Sequence, residues 1–157
     1  MALKLSTIAD GTIEVVARID SAIADDLTDD EYGSYLENLD QSLLRFKAGE
    51  KPTLFVMRRV LPYALSQKVA NKQLRLDEGN KLQPQLGYMT EEVRCALINV
   101  KNPDNLAEED KIKFERGSDG GASEDLVARL ASAGIAMNLY HARTNALTKT
   151  KTDSKKN

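Results

Sequence analysis

Thr28-Asp29-Asp30-Glu31 is the strongest local instruction in this chain. A threonine followed three residues later by a glutamate forms a capping box. The Thr28 hydroxyl accepts from the Glu31 amide, and the Glu31 carboxylate accepts from the Thr28 amide. Asp29 and Asp30 add negative charge at the positive end of the helix dipole. Apolar side chains then recur three and four residues apart at Tyr32, Tyr35, Leu36, Leu39, Leu43 and Phe46, a helical stripe. This pattern predicts one amphipathic helix that closes on Gly49 in a left-handed conformation. Gly33 weakens its start by up to about 1 kcal/mol without abolishing it.

Strand signals lie on either side. Asp10-Gly11 separates the β-rich arms Leu5-Ser6-Thr7-Ile8 and Thr12-Ile13-Glu14-Val15-Val16, which predicts a hairpin over Lys4 to Ile19. Pro52 opens an extended run, Thr53 to Val60, expected to join that hairpin. Pro62 suits the first turn of a helix over Tyr63 to Leu76, and the stretch from Asp77 to Gly87 reads as a loop. Thr90 is expected to cap the next helix, with Val93, Ala96, Leu97 and Val100 on one face and Asn102-Pro103 as its end. Lys111 to Arg116 suggests a short strand with Ile112 and Phe114 on one side. Gly117-Ser118-Asp119-Gly120-Gly121 is a turn, Ser123 starts the last helical region, and Gly134 breaks it.

The fold expected from these elements is α+β. A small antiparallel sheet, made of the N-terminal hairpin and the strand near residues 53–60, packs on four to five helices. The chain has 157 residues, 41% of them hydrophobic and 29% charged, enough for one modest core. One domain is expected over residues 1–147, followed by a polar, lysine-rich, flexible tail over 148–157. No apolar run approaches a transmembrane helix, and the start lacks the regions of a signal peptide. The expected compartment is cytosolic.

The net charge of −2 hides strong segregation. Residues 19–44 carry eight acidic side chains and no Lys or Arg, whereas residues 45–81 carry nine basic and three acidic ones. A chain polarised in this way can pair its two poles within one fold, present a solvated acidic helix, attract a neighbouring copy head to tail, or bind nucleic acid through its basic stretch. The interaction residues singled out are Asp25, Asp26, Asp29 and Asp30 on the acidic side. On the basic side they are Arg58 and Arg59 with Lys68, Lys72 and Arg75, the last three on one helix face. That stripe could neutralise a few phosphates, although no recognised nucleic-acid motif accompanies it.

Site chemistry has few residue types to draw on. A single cysteine, Cys95, excludes an intrachain disulfide and multi-cysteine metal sites. Flanked by Ala96 and Leu97 inside a predicted helix, it reads as a small buried apolar residue, with the side chain of Arg94 directed elsewhere. A single histidine, His141, lacks the local partners of a catalytic imidazole. The segment Asp25 to Asp30 lacks the ligand spacing of a calcium loop, and Gly117 to Gly121 lacks the Gly-Lys-Ser/Thr of a nucleotide loop. No catalytic residue, metal ligand or cofactor site is assigned.

Two segments taken together carry a resemblance. One is Gly49-Glu50-Lys51-Pro52-Thr53-Leu54-Phe55-Val56-Met57-Arg58-Arg59-Val60-Leu61, a strand followed at once by a helix. The other runs from Thr90-Glu91-Glu92-Val93-Arg94-Cys95-Ala96-Leu97-Ile98-Asn99-Val100-Lys101-Asn102, through a polar loop, to Ser123-Glu124-Asp125-Leu126-Val127-Ala128-Arg129-Leu130. It closes with Gly134-Ile135 and a helix ending Asn145-Ala146-Leu147. Over roughly residues 50–147 this order is similar to the small tail assembly chaperones of long-tailed bacteriophages. The resemblance implies a non-enzymatic helper in the host cytoplasm that oligomerises and binds tape-measure and tail-tube proteins, with no cofactor and no membrane. The hairpin and the acidic helix fall outside that pattern. They leave room for a structural component of the virion neck, tail or capsid, and the basic stretch for a small nucleic-acid-binding regulator.

Overall fold

The structure, a computed structural model, describes residues 11–76, 82–84, 87–101 and 112–156. In chain order its elements are β1 (Thr12–Val15), α1 (Asp29–Asn38), β2 (Leu54–Arg58), α2 (Tyr63–Gln73), β3 (Leu74–Leu76) and β4 (Leu82–Pro84). They continue with α3 (Tyr88–Ala96), β5 (Leu97–Lys101), α4 (Glu124–Ser132) and α5 (Ile135–Lys156). The main sheet is antiparallel in the order β1-β2-β5, and β3 and β4 form a separate two-stranded ribbon. This is the expected α+β architecture, with five helices among the described residues.

The register places apolar pairs on one face. Ile13 lies opposite Met57, Val15 opposite Phe55, and Phe55 opposite Val100. An irregularity between Val56 and Met57 sets Met57 opposite Leu97. Leu97 and Val100 are an odd number of residues apart, so a regular strand would send them to opposite faces. The bulge re-phases the strand and lets both reach the core. Against this face pack Val93 and Ala96 of α3, Leu126, Val127 and Leu130 of α4, and Ile135, Ala136, Leu139 and Ala142 of α5. A second cluster joins Tyr32 and Tyr35 of α1 to Val16, Ile23, Leu27 and Leu44. There the Tyr35 hydroxyl accepts from the Val16 amide at 2.9 Å, and the Tyr32 hydroxyl donates to the Val16 carbonyl at 2.7 Å. The helical stripe is thereby pinned to the end of β1.

Several expectations need correction. The capping box forms as expected, but α1 stops at Asn38, with Leu39 in a left-handed conformation at φ 53°. That conformation costs a non-glycine residue roughly 1–2 kcal/mol. Leu39 adopts it while packing against both core clusters, and Asp40 then caps a short 3-10 turn over Gln41–Leu43. Gly49 is left-handed, at φ 77°, but lies well beyond the helix it was expected to end. The α2 helix gives way to β3 at Leu74, so Arg75 leaves the helix face shared by Lys68 and Lys72. Part of the expected loop is strand β4.

Thr90 does not cap α3. That helix starts two residues earlier, after Gly87, and the Thr90 hydroxyl donates to the Gly87 carbonyl at 2.9 Å. The helix also ends at Ala96, where the open edge of β2 captures Leu97 to Lys101 as a strand. Spacings of three and four residues in a short apolar run fit either period, and pairing decides. Residues 112–116 form no strand, although Ile112 is buried and Phe114 packs on the core as expected. The α5 helix extends through the lysine-rich stretch to Lys156, since propagating an anchored helix costs less than nucleating one. The first arm of the expected hairpin and Asn102-Pro103 lie outside the described residues.

Candidate functional site

The densest polar constellation is built on α3. Glu91 and Arg94 stand three residues apart on one helix face, and both are buried. Arg94 Nε donates to Glu91 Oε2 at 3.0 Å, and Nη2 donates to Oε1 at 2.6 Å. The same guanidinium holds the turn over 117–121 by donating to Asp119 Oδ1 at 3.0 Å, Asp119 Oδ2 at 2.7 Å and the Ala122 carbonyl at 3.1 Å. Those five bonds use the full donor set of an arginine. From α2, Lys68 reaches Asp119 at 2.7 Å and Lys72 reaches Glu91 at 3.3 Å.

Electrostatics follow the contacts. Hydrogen bonds from Arg94 and Lys68 hold the Asp119 carboxyl well below the usual carboxylate range. The hydrogen bond from Arg94 likewise lowers Glu91 against the opposing effect of burial, and both carboxylates hold Arg94 firmly protonated. A cleft of about 730 Å³ opens above the network, lined by Lys68 and Lys72 of α2 and by Glu124 and Asp125 of α4. The turn fits closely against the helix. A Cβ on Gly121 would lie 2.9 Å from the Arg94 carbonyl oxygen. Chemically the network is a clamp that ties α2, α3 and the turn into one body.

A second arginine organises the corner between β2 and α2. Arg143 of α5 is buried and donates from Nε to the Arg58 carbonyl at 3.0 Å and from Nη2 to the Arg59 carbonyl at 2.8 Å. Glu92 stands 3.5 Å away, its carboxyl pushed up by burial. The corner held in this way presents Val60 and Tyr63 to solvent, 47% and 79% exposed, beside the exposed Arg59. A shallow groove of about 410 Å³ adjoins them, floored by Leu61, Val69 and Leu147.

The residues singled out from sequence fall in three places. Asp25 pairs with Lys47 at 3.4 Å, Asp26 with Arg45 at 3.6 Å and Asp29 with Arg18 at 3.3 Å, all on the surface, and Asp30 is exposed beside them in the first turn of α1. Lys68 and Lys72 belong to the clamp. Arg58 is tied to backbone, donating to the Cys95 carbonyl at 3.0 Å and to the Gly120 carbonyl at 3.4 Å. Only Arg59 stands on the exposed corner.

Cys95 is buried between Leu65 and Val69, and burial pushes its thiol up to about 11, away from thiolate reactivity. The Arg94 side chain does not point away from it, as expected, but curls back until Nη2 is 3.9 Å from Sγ. His141 is exposed on α5, edge-on to the Tyr140 ring at 5.7 Å.

Sequence reasoning missed Glu91, Arg94, Asp119 and Arg143. The opposite charges of Glu91 and Arg94 at three-residue spacing were a usable signal. Nothing local indicates that Asp119 or Arg143 closes a contact across the fold. Among the described residues, no group of three or more His, Cys, Asp or Glu side chains is placed to hold a metal ion, and no helix is long and apolar enough to cross a membrane. Comparison of the chain with protein-family models, curated proteins and solved structures gives no match.

Proposed function

We propose that the chain is a non-enzymatic morphogenesis protein of a long-tailed bacteriophage, a tail assembly chaperone that binds tape-measure and tail-tube proteins. The observation that carries this reading is the exposed corner. Two large apolar side chains and a cation are displayed on backbone that a buried arginine fixes in place. Apolar side chains exposed together beside a charge suit a contact with another protein. The resemblance of residues 50–147 supplies the kind of partner. In this reading the Arg94 network is a scaffold that keeps the corner's helices in register.

The test is co-expression of the tagged chain with the tape-measure and tail-tube proteins of the same phage, followed by affinity purification. Retention of at least one of them in a stable complex is expected, and retention of neither removes the reading. A second reading is a structural virion component. It draws support from residues 12–49, which lie outside the resemblance yet build β1, α1 and their own core cluster. Mass spectrometry of purified particles separates the two, because a chaperone acts in the host cytoplasm and is left behind.

A further inference from the structure

We infer that the groove between α2 and α5 docks an acidic amphipathic helix of a partner protein. The inference rests on the assembly reading above and names the chemistry of the segment that its corner receives. Both α2 and α5 pack against α3, yet few contacts join them to each other. The gap between them is the groove of about 410 Å³, with Leu61, Val69 and Leu147 along its floor. Ser66 and Ala70 wall it on the α2 side, small side chains that let a third backbone come close. Val60 lines it, and Tyr63 stands exposed at the start of the same helix. A gap between two helices that share a third as their base is the shape a further helix fills.

The walls set the sign of the partner. No acidic residue occurs from Arg59 to Leu76, so the corner and α2 bring no negative charge. Lys68 and Lys72 leave α2 on the opposite side, into the clamp. Arg59 lines the groove and is exposed. The α5 helix runs on from Leu147 to Lys156, about 14 Å at 1.5 Å per residue. That arm carries Lys149, Lys151, Lys155 and Lys156 against Asp153. Among the described lining residues the one carboxylate is that of Glu92 on α3, which stands 3.5 Å from Arg143. The exposed Lys51 precedes β2, at the end of that strand away from the corner, and takes no part.

Shape and charge together select one kind of occupant. A helix with an apolar face and Asp or Glu on its flanks sets its apolar side chains on the aliphatic floor and its carboxylates toward Arg59 and the lysine arm. A nucleic acid needs cations where its phosphates run, and the floor here is aliphatic. A basic segment would meet the arm with like charge.

The probe is a fluorescently labelled synthetic peptide, an amphipathic helix of about four turns with leucines on one face and glutamates on both flanks. Two further peptides replace every glutamate by glutamine or by lysine. Fluorescence anisotropy with the full chain at low salt should show the acidic peptide binding about tenfold more tightly than the glutamine peptide, and no binding of the lysine peptide. In 1 M salt, where the Debye length falls to about 3 Å, that preference should shrink. Ala70→Glu places a carboxylate on the exposed α2 wall and should abolish binding of the acidic peptide. Tyr63→Ser changes a side chain 79% exposed and should weaken it. Lys149→Gln/Lys151→Gln/Lys155→Gln/Lys156→Gln should bring the acidic peptide down to the affinity of the glutamine peptide. Circular dichroism melts confirm that each variant folds.

Equal binding of the acidic and glutamine peptides, or folded variants that bind like the wild type, would overturn the inference. So would a DNA duplex that displaces the peptide, or self-association of the wild type through a contact that Ala70→Glu removes, since either names another occupant. Retention of tape-measure or tail-tube protein in co-expression is a separate readout. Its absence removes the chaperone reading and leaves the groove to stand or fall on the peptides, whereas retention undiminished in Ala70→Glu overturns the groove alone.

Discussion

At the scale of single residues, the fold depends on a few polar contacts that apolar patterning cannot announce. Gly121 is one. The added Cβ of Gly121→Ala would meet the Arg94 carbonyl oxygen at 2.9 Å and the Cys95 Cα at 3.2 Å, both backbone atoms that cannot swing aside. Overpacking of this kind costs about 1–3 kcal/mol, and a lower urea midpoint at unchanged slope is the expected readout. Glu91→Ala tests the clamp itself. Two buried donors of Arg94 lose their acceptor, and breaking one side of a buried pair costs roughly 3–5 kcal/mol. The value should fall at the low end, because Asp119 still holds the other edge of the guanidinium. A midpoint equal to that of the wild type would show that the network contributes nothing to folding. The spacing of Glu91 and Arg94 was legible in the sequence, but the closure of the turn over them was not. Glu91 and Arg94 look like one more surface pair until a glycine-rich turn from 25 residues away closes over them.

At the scale of elements, local chemistry was legible wherever a cap or a turn residue acts alone. The Thr28 box, the Ser123 cap and the break at Gly134 all stand where the sequence placed them. Thr28→Ala removes the hydroxyl that accepts from the Glu31 amide at 3.2 Å. It should destabilise the protein by about 1 kcal/mol, visible as a lower melting temperature. Equal melting of the two proteins would mean that the box does not anchor α1. Legibility failed where tertiary contacts outweigh periodicity. Leu43 and Phe46 continue the helical stripe of α1, yet the backbone turns at Leu39, and Leu44, outside the stripe, is buried in place of Leu43. Leu97 and Val100 continue the stripe of α3, yet β2 has an open edge beside them. In the second place the spacing was right about which side chains face inward and wrong about the backbone that delivers them, whereas in the first Leu43 is exposed.

At the scale of the whole molecule, the charge pattern becomes a pH dependence with two arms of opposite sign. On the acidic arm, Asp119 and Glu91 titrate below their ordinary values of 3.8 and 4.5, because Arg94 and its neighbouring lysines hydrogen-bond their charged forms. Groups lowered by folding contribute stability that is complete above those ordinary values and is lost as the pH falls through the folded ones. On the other arm, Asp20 and Glu92 titrate above 3.8 and 4.5, because burial disfavours their charged forms. The folded chain then takes up these protons at higher pH than the unfolded chain does. Stability therefore rises as the pH drops through the folded values of Asp20 and Glu92 toward their ordinary 3.8 and 4.5, and the contribution of the clamp is lost below the ordinary values of Asp119 and Glu91. Urea unfolding at pH 7, 5 and 3 should give midpoints ordered pH 5, then pH 7, then pH 3. Asp119→Asn tests the assignment, because it should flatten the fall between pH 5 and 3 while leaving the rise between pH 7 and 5 intact. A midpoint that declines steadily from pH 7 to pH 5 in the wild type would show that the buried carboxyls of Asp20 and Glu92 do not control the neutral arm.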